Sequence, residues 1–248
     1  QQSFLSNYMY GYRKGLPNEY LMEIDAGSQD GQYVSGNSYE WALQSLFGRL
    51  NYDYKGKYLA EVNFRYDGSS RFHKDNRWGF FPSFSAGWRV SEEEFAKDID
   101  WLTNLKIRGS WGKLGNQEIG NYPYQSTLSL GYDYPFGAME SGARQTSLVN
   151  ENISWETTEI TDIGFDLDLG NGLFSLTFDY FNKTTSDILR GAQVMGHVGL
   201  NSPTVNGGEM KNTGFDLVAS HRNTVSDFSY GIDLTLSKVT NELTKYGA

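Results

Sequence analysis

The feature that most constrains this chain is a two-residue alternation of apolar and polar side chains, repeated in one segment after another. That period belongs to β-strands with unlike faces, because successive side chains point to opposite sides of the pleat. In residues 57–67, Tyr58, Ala60, Val62, Phe64 and Tyr66 share one face, and Glu61, Asn63, Arg65 and Asp67 the other. In residues 173–183, Phe174, Leu176, Phe178 and Tyr180 oppose Ser175, Thr177 and Asp179. In residues 227–238, Tyr230, Ile232, Leu234 and Leu236 oppose Ser229, Asp233, Thr235 and Ser237. Ile163, Phe165, Leu167 and Leu169 alternate with Asp162, Gly164, Asp166 and Asp168. Weaker alternation covers 46–54, 78–90, 105–111 and 210–220. The pattern predicts about eight strands of roughly 9–13 residues, long for a soluble sheet and suited to a tilted crossing of a bilayer.

The connections carry a second regularity. Lys55-Gly56, Gly170-Asn171-Gly172 and residues 221–226 are short, whereas 68–77, 114–156 and 184–209 are longer. Alternately short and long connections mean one trimmed rim and one elaborated rim, as in outer-membrane barrels with short periplasmic turns and long external loops. Residues 91–103 fall where a short turn is due, yet Ser91 and Glu94 have the spacing of a capping box and predict a small helix. Tyr52, Tyr54 and Tyr58 flank the first short turn; such rings favour the headgroup region of a membrane, and any one of them fits ordinary strand enrichment in Tyr equally well.

Composition removes several function classes. The 248 residues hold no cysteine, so disulfides and thiolate metal sites are out. A net charge of −9 opposes general nucleic-acid binding, which needs a basic face. No run approaches the roughly 20 apolar residues of a membrane-spanning helix, which says nothing against a barrel. Aromatics reach 15% while mean hydropathy is only −0.54, as expected when every second strand residue is polar. Gln1-Gln2-Ser3-Phe4 is no signal peptide, so an internal or processed start is expected.

From Tyr52 nearly to Phe215 the chain resembles SusC/RagA-type TonB-linked outer-membrane proteins. The resemblance rests on residues 49–58 (RLNYDYKGKY), 65–72 (RYDGSSRF), 77–83 (RWGFFPS), Gly87-Trp88-Arg89, 105–112 (LKIRGSWG) with Gly115-Asn116, Trp155-Glu156-Thr157-Thr158 and Asn212-Thr213-Gly214-Phe215. Trp111 stands where the family more commonly has Tyr. The resemblance implies an all-β, antiparallel transmembrane barrel of about 22 strands with a plugged lumen, of which this chain supplies less than half. Residues 1–248 are expected to form part of that one barrel domain, with the plug, the TonB-contacting segment and the C-terminal aromatic strand absent from it. It further implies import of a glycan or peptide with a SusD-like lipoprotein lid and energy from TonB, in contact with outer-membrane lipid and without cofactor or covalent chemistry. The rivals are a passive porin-like channel, a structural barrel, an outer-membrane enzyme and a soluble β-sandwich.

Individual residues read as follows. Asp67-Gly68-Ser69-Ser70 is expected to form a turn, and Gly87, Gly109 and Gly112 to permit curvature or close backbone approach. Arg65, Arg71, Arg77, Arg89 and Arg108 are expected to pair with carboxylates in the wet lumen or rim, and Asp162, Asp166 and Asp168 to form a lumen-facing acidic row. His73, His197 and His221 fall in predicted connections, and neither an elbow motif nor a phosphate loop marks an enzyme. The long loop 114–156 holds Tyr122, Tyr124, Tyr132, Tyr134 and Phe136, either ligand or partner contacts or a small core of the loop itself.

Overall fold

The computed structural model describes residues 2–16, 18–20, 23–24 and 27–247. Nine long strands form one antiparallel sheet: β1 (Gln2–Tyr12), β2 (Tyr33–Tyr54), β3 (Tyr58–Ser69), β4 (Trp78–Arg89), β5 (Leu102–Asn116), β10 (Glu156–Leu169), β11 (Phe174–Ser186), β14 (Glu209–Val225) and β15 (Phe228–Lys245). Short strands lie in the long loops: β6 (Leu128–Leu130), β7 (Tyr134–Phe136), β8 (Ala138–Glu140) and β9 (Ala143–Gln145) between β5 and β10, and β12 (Leu189–Gly191) and β13 (Thr204–Asn206) between β11 and β14. Each long strand pairs with its sequence neighbour, in the order β1-β2-β3-β4-β5-β10-β11-β14-β15. This single-layered meander is the wall of a barrel. A sandwich would need a second sheet over the first.

Register shows why the sheet has two unlike faces. Leu50 pairs with Val62 and Val62 with Phe84, while Ile107 pairs with Phe165 and Phe165 with Phe178. Leu50, Val62, Phe84 and Ile107 stay exposed on one continuous face, as do Leu234 and Leu236 on β15, while Phe165 and Phe178 are half-buried among their neighbours on it. Stacked rings mark both borders of the band. Tyr54 lies 6.4 Å from Tyr58 beside the short turn, and Tyr66 lies 4.9 Å from Trp78 at the opposite border, with planes 14° apart. The opposite face carries Arg49, Glu61, Asn63, Arg65, Arg108, Asp166 and Asp179.

The trimmed rim is held by turn chemistry. Lys55 and Gly56 both have positive φ, 55° and 68°, as a two-residue hairpin of the right twist requires. The Gly56 N–H donates to Asp53 Oδ1 at 2.7 Å. The helix predicted at residues 91–103 is instead a three-residue 3-10 turn, Val90–Glu92, without a side-chain cap. Glu93 is used otherwise: its carboxylate accepts from Tyr58 Oη at 2.6 Å, Lys57 Nζ at 3.0 Å and Trp88 Nε1 at 3.2 Å. Glu94 pairs with Lys97 at 2.8 Å.

Three further expectations are corrected. β3 runs through Ser69, so the turn starts only at Ser70. Gly68 is needed for space, not for positive φ: a Cβ there would come 2.7 Å from the Trp78 ring that stacks on Tyr66. His221 lies within β14, where its ring bonds the Leu173 carbonyl at 2.9 Å and Tyr230 Oη at 3.0 Å. Of the three glycines expected to allow close approach, a Cβ on Gly112 would come 2.9 Å from Ser83 Cβ and one on Gly87 3.1 Å from Lys106 Cε, but one on Gly109 would have ordinary room.

A small core sits at the elaborated rim on the polar side of the sheet. Phe72 and Ile153 are fully buried, with Phe81 and Trp155 nearly so, and Leu43, Ile119 and Leu189 pack around them. Trp155 Nε1 donates to the Arg77 carbonyl at 3.0 Å, so the ring pins the end of the long loop to the chain entering β4.

Candidate functional site

The inner face is knitted around Arg108. Its β5 position pairs with Gly164 on β10, and Gly164 pairs with Asp179 on β11. A Cβ on Gly164 would collide with the Asp179 carboxylate, so the missing side chain opens a lane across β10. Through it Arg108 reaches both Asp179 oxygens, Nη2 donating at 2.7 Å and Nη1 making a shorter bond. Nε donates to Asp166 at 3.2 Å, and Asp162 lies 3.6 Å from Nη1. Thr177 donates to Asp166 at 3.3 Å, and Asn104 to Asp168 at 3.1 Å. One guanidinium thus ties three strands while facing three carboxylates, and the node keeps a net negative field on the wet side. The acidic row was legible; the part played by Gly164 and Asp179 was not.

Next to this node lies an open furrow of about 460 Å³, lined on the inner face by Asn51, Asp53, Glu61, Ser85, Lys106 and Arg108. Neighbouring polar residues are fixed by short contacts, Arg49 to Asn63 at 2.8 Å and Arg65 to Asp67 at 2.6 Å. The remaining expected arginine–carboxylate pairs do not form. Arg71 places its guanidinium 4.4 Å from the Trp41 ring and donates to Asn121 Oδ1 and the Gln117 carbonyl. Among the described residues, neither Arg77 nor Arg89 is in an ion pair.

The five loop aromatics divide. Tyr122 has a φ of 53° and donates its hydroxyl to the Glu40 carbonyl at 3.0 Å, which anchors the loop to β2. Tyr124 meets the Tyr122 ring edge-on at 6.2 Å and the His73 ring at 5.5 Å. Arg144 lies over the Tyr132 ring at 4.0 Å. Tyr134 and Phe136 stand exposed on the β7–β8 hairpin, which pairs Tyr134 with Glu140. His73 approaches Asp75 at 3.2 Å, and His197 lies in a second 3-10 turn, Gly196–Val198.

At the trimmed rim, the donors Tyr58, Lys57 and Trp88 stabilise the charged form of Glu93 and pull its pKa down to about 2. This clamp joins the β2–β3 turn to the β4–β5 turn.

Sequence reasoning missed the aromatic residues of β1 and upper β2. Tyr8, Tyr10 and Tyr12 stand at strict spacing of two, a signal that was available.

Comparison with known proteins agrees with this geometry. The family model for the TonB dependent receptor-like β-barrel matches residues 2–247. The TonB-dependent receptor P3 of Formosa agariphila is 35% identical over 236 residues, 95% of this chain and 24% of that protein. The TonB-dependent receptor SusC of Bacteroides thetaiotaomicron is 36% identical over 209 residues, 82% of this chain and 21% of that protein. The chain therefore spans about a quarter of the length of these relatives. Among solved structures, the RagAB peptide transporter superposes with a TM-score of 0.84 at 26% identity, covering 98% of this chain and 30% of that one.

Proposed function

The chain belongs to the TonB-dependent receptor-like β-barrel family, and on that premise we propose that it forms a sector of the wall of an outer-membrane nutrient importer. The cargo is a glycan or a peptide, received from a SusD-like surface lipoprotein, and TonB supplies the energy through segments outside these residues. The apolar face meets outer-membrane lipid, the charged face lines the lumen, and the long loops stand at the cell surface. The observation that carries the reading is the pairing of an aromatic-bordered apolar face with an opposite face built around Arg108 and its carboxylates. The mechanism is capture and passage. The inner wall presents fixed dipoles and charges to a hydrated cargo, and the loop aromatics Tyr122, Tyr124, Tyr132, Tyr134 and Phe136 supply contacts at the mouth.

The test is native mass spectrometry of the parent protein extracted with detergent from its source membrane. A heavy chain carrying a lipoprotein and a bound sugar or peptide is the expected result. A parent without lipoprotein or ligand that conducts ions freely in planar bilayers would replace the importer with a passive channel.

A further inference from the structure

β2 is 22 residues long, but only Leu43 to Tyr54 pair with β3. The ten residues above pair with β1 alone, from Ser3 opposite Ala42 to Tyr12 opposite Tyr33. At about 3.3 Å per residue this two-stranded ribbon rises roughly 30 Å beyond the top of β3.

Its two faces differ sharply. In the membrane part of β2, Tyr52 and Tyr54 lie on the outward, even-numbered face. The change of side begins at Phe47, which pairs with the inner-face Arg65, and it holds for every ring above Leu43. Trp41, Tyr39 and Tyr33 are odd-numbered, on the inner side, and their β1 partners across the ribbon are Phe4, Ser6 and Tyr12. With Tyr8 and Tyr10, that face holds seven aromatic rings, along with Ser6, Ser35 and Asn37, and no charged group. The opposite face holds no ring: Ser3, Leu5, Asn7, Met9 and Gly11 lie across from Ala42, Glu40, Ser38, Gly36 and Val34.

The rings form two platforms. Phe4 lies 6.1 Å from Tyr39 and 6.4 Å from Trp41; higher up, Tyr10, Tyr12 and Tyr33 stand 5.8–6.5 Å apart. The six residues from Phe4 to Tyr10 put about 20 Å between them, with Tyr8, Ser35 and Asn37 in the interval. Lipid does not reach this height, yet Phe4, Tyr8, Tyr10, Tyr33 and Tyr39 each stay 44–58% exposed.

We propose that the inner face of the β1–β2 ribbon is a binding strip for an uncharged oligosaccharide at the mouth of the barrel. The inference rests on the importer reading and selects one of its two cargo classes. Chemistry makes the choice. Sugar rings offer flat C–H faces bordered by hydroxyls, and this strip offers flat rings bordered by phenol, hydroxyl and amide groups. In a chain of net charge −9, the strand residues of this face carry no charge of their own, and the Arg71 guanidinium meets the face at its lower end, over Trp41, so the stretch above neither repels nor selects an ionic ligand. The strip leads down past Trp41, where Arg71 covers one ring face, to the Arg49 and Arg65 side of the lumen.

The experiment uses the parent protein in detergent and titrates it by calorimetry with uncharged hexasaccharides of several linkages, a uronic-acid hexasaccharide and a set of neutral peptides. One uncharged hexasaccharide should bind, and Tyr10→Ser with Tyr33→Ser should weaken it about tenfold, the loss of roughly 1.4 kcal/mol of stacking. Leu5→Ser with Met9→Ser, on the opposite face, should change nothing. Heat-modifiable migration on gels shows that each variant is folded. Binding of peptides but of no sugar overturns the strip and leaves the importer standing. Sugar binding that the tyrosine variants do not alter overturns it too, as does a tyrosine effect confined to lipoprotein co-purification. Failure of the importer reading shows separately, as ligand-independent conductance.

Discussion

Val62 lies midway between Tyr58 and Tyr66 on β3, flanked on the outer face by Leu50 and Phe84. With about 3.3 Å per residue and a tilt near 45°, the two tyrosines are roughly 19 Å apart along the membrane normal. Val62 is thus about 9 Å from either ring, near the midplane of an apolar band about 25 Å tall. Val62→Arg is expected to cost about 2–4 kcal/mol, the penalty for a cation at that depth. In equilibrium terms the loss is about 30- to 700-fold. Ser85→Arg is the control. Ser85 sits one strand away on the inner face, paired with Glu61, which offers a countercharge in water. Its cost should stay within about 0.5 kcal/mol. The assay is urea titration of the parent protein folding into phospholipid vesicles, followed by tryptophan emission and heat-modifiable migration. Equal costs for the two variants, or a larger one for Ser85→Arg, would refute the assignment of faces.

Other outcomes follow from the same contacts. Arg108→Met should destabilise the barrel by about 2–3 kcal/mol in the same titration, below the roughly 3–5 kcal/mol of a fully buried pair because Arg108 and its three partners are 21–30% exposed; adding Asp179→Asn should return part of the loss. Because the Glu93 pKa is depressed from 4.5 to about 2, its stabilisation is complete above pH 4.5 and fades as pH falls through about 2. Wild type minus Glu93→Gln should therefore show an acid transition in tryptophan emission within that window, and a flat difference would remove the clamp. Trp155→Ala should cost about 3–5 kcal/mol and make loop 117–155 an early cleavage site in limited proteolysis.

Much of the membrane zone was legible because one environment acts on each face along the whole strand. Val62, Ile163 and Leu234 all fall on the predicted side, and the short turns sit where the parity of connection lengths put them. β1 and upper β2 were not legible for a related reason. The rings of β2 occupy even positions at Tyr52 and Tyr54 and odd positions at Phe47, Trp41 and Tyr39, so a window spanning the change averages the two patterns away. Reading alternation assumes one solvent per face, and this strand passes from lipid into the aqueous mouth. The Arg108 node was half legible. A row of aspartates predicts a cation opposite, but only the register shows that Gly164 stands between Arg108 and Asp179. The predicted helix after β4 does not form: Glu94 turns to Lys97 instead of capping, and Glu93 is held by Lys57, Tyr58 and Trp88.

The burial pattern favours a membrane wall over a water-soluble sheet. Among the described residues the buried hydrophobic side chains are Phe72, Phe81, Ala96, Ile153 and Trp155, and four of these belong to the loop core at the rim. The outer face from Leu46 on β2 to Leu236 on β15 remains uncovered by any other part of the chain. A water-soluble sheet with an apolar face this wide would bury it against a second layer. In the wall proposed here, acyl chains would supply the missing contact without a second sheet, while every interior strand meets its backbone partners within the ladder. The same reasoning separates the two aromatic populations. Tyr58, Tyr66 and Trp78 meet a membrane border that justifies their exposure, whereas Tyr10 and Tyr33 stand above it on the side facing the lumen. Lipid accounts for the first set. The second set is the strip proposed above for an uncharged oligosaccharide.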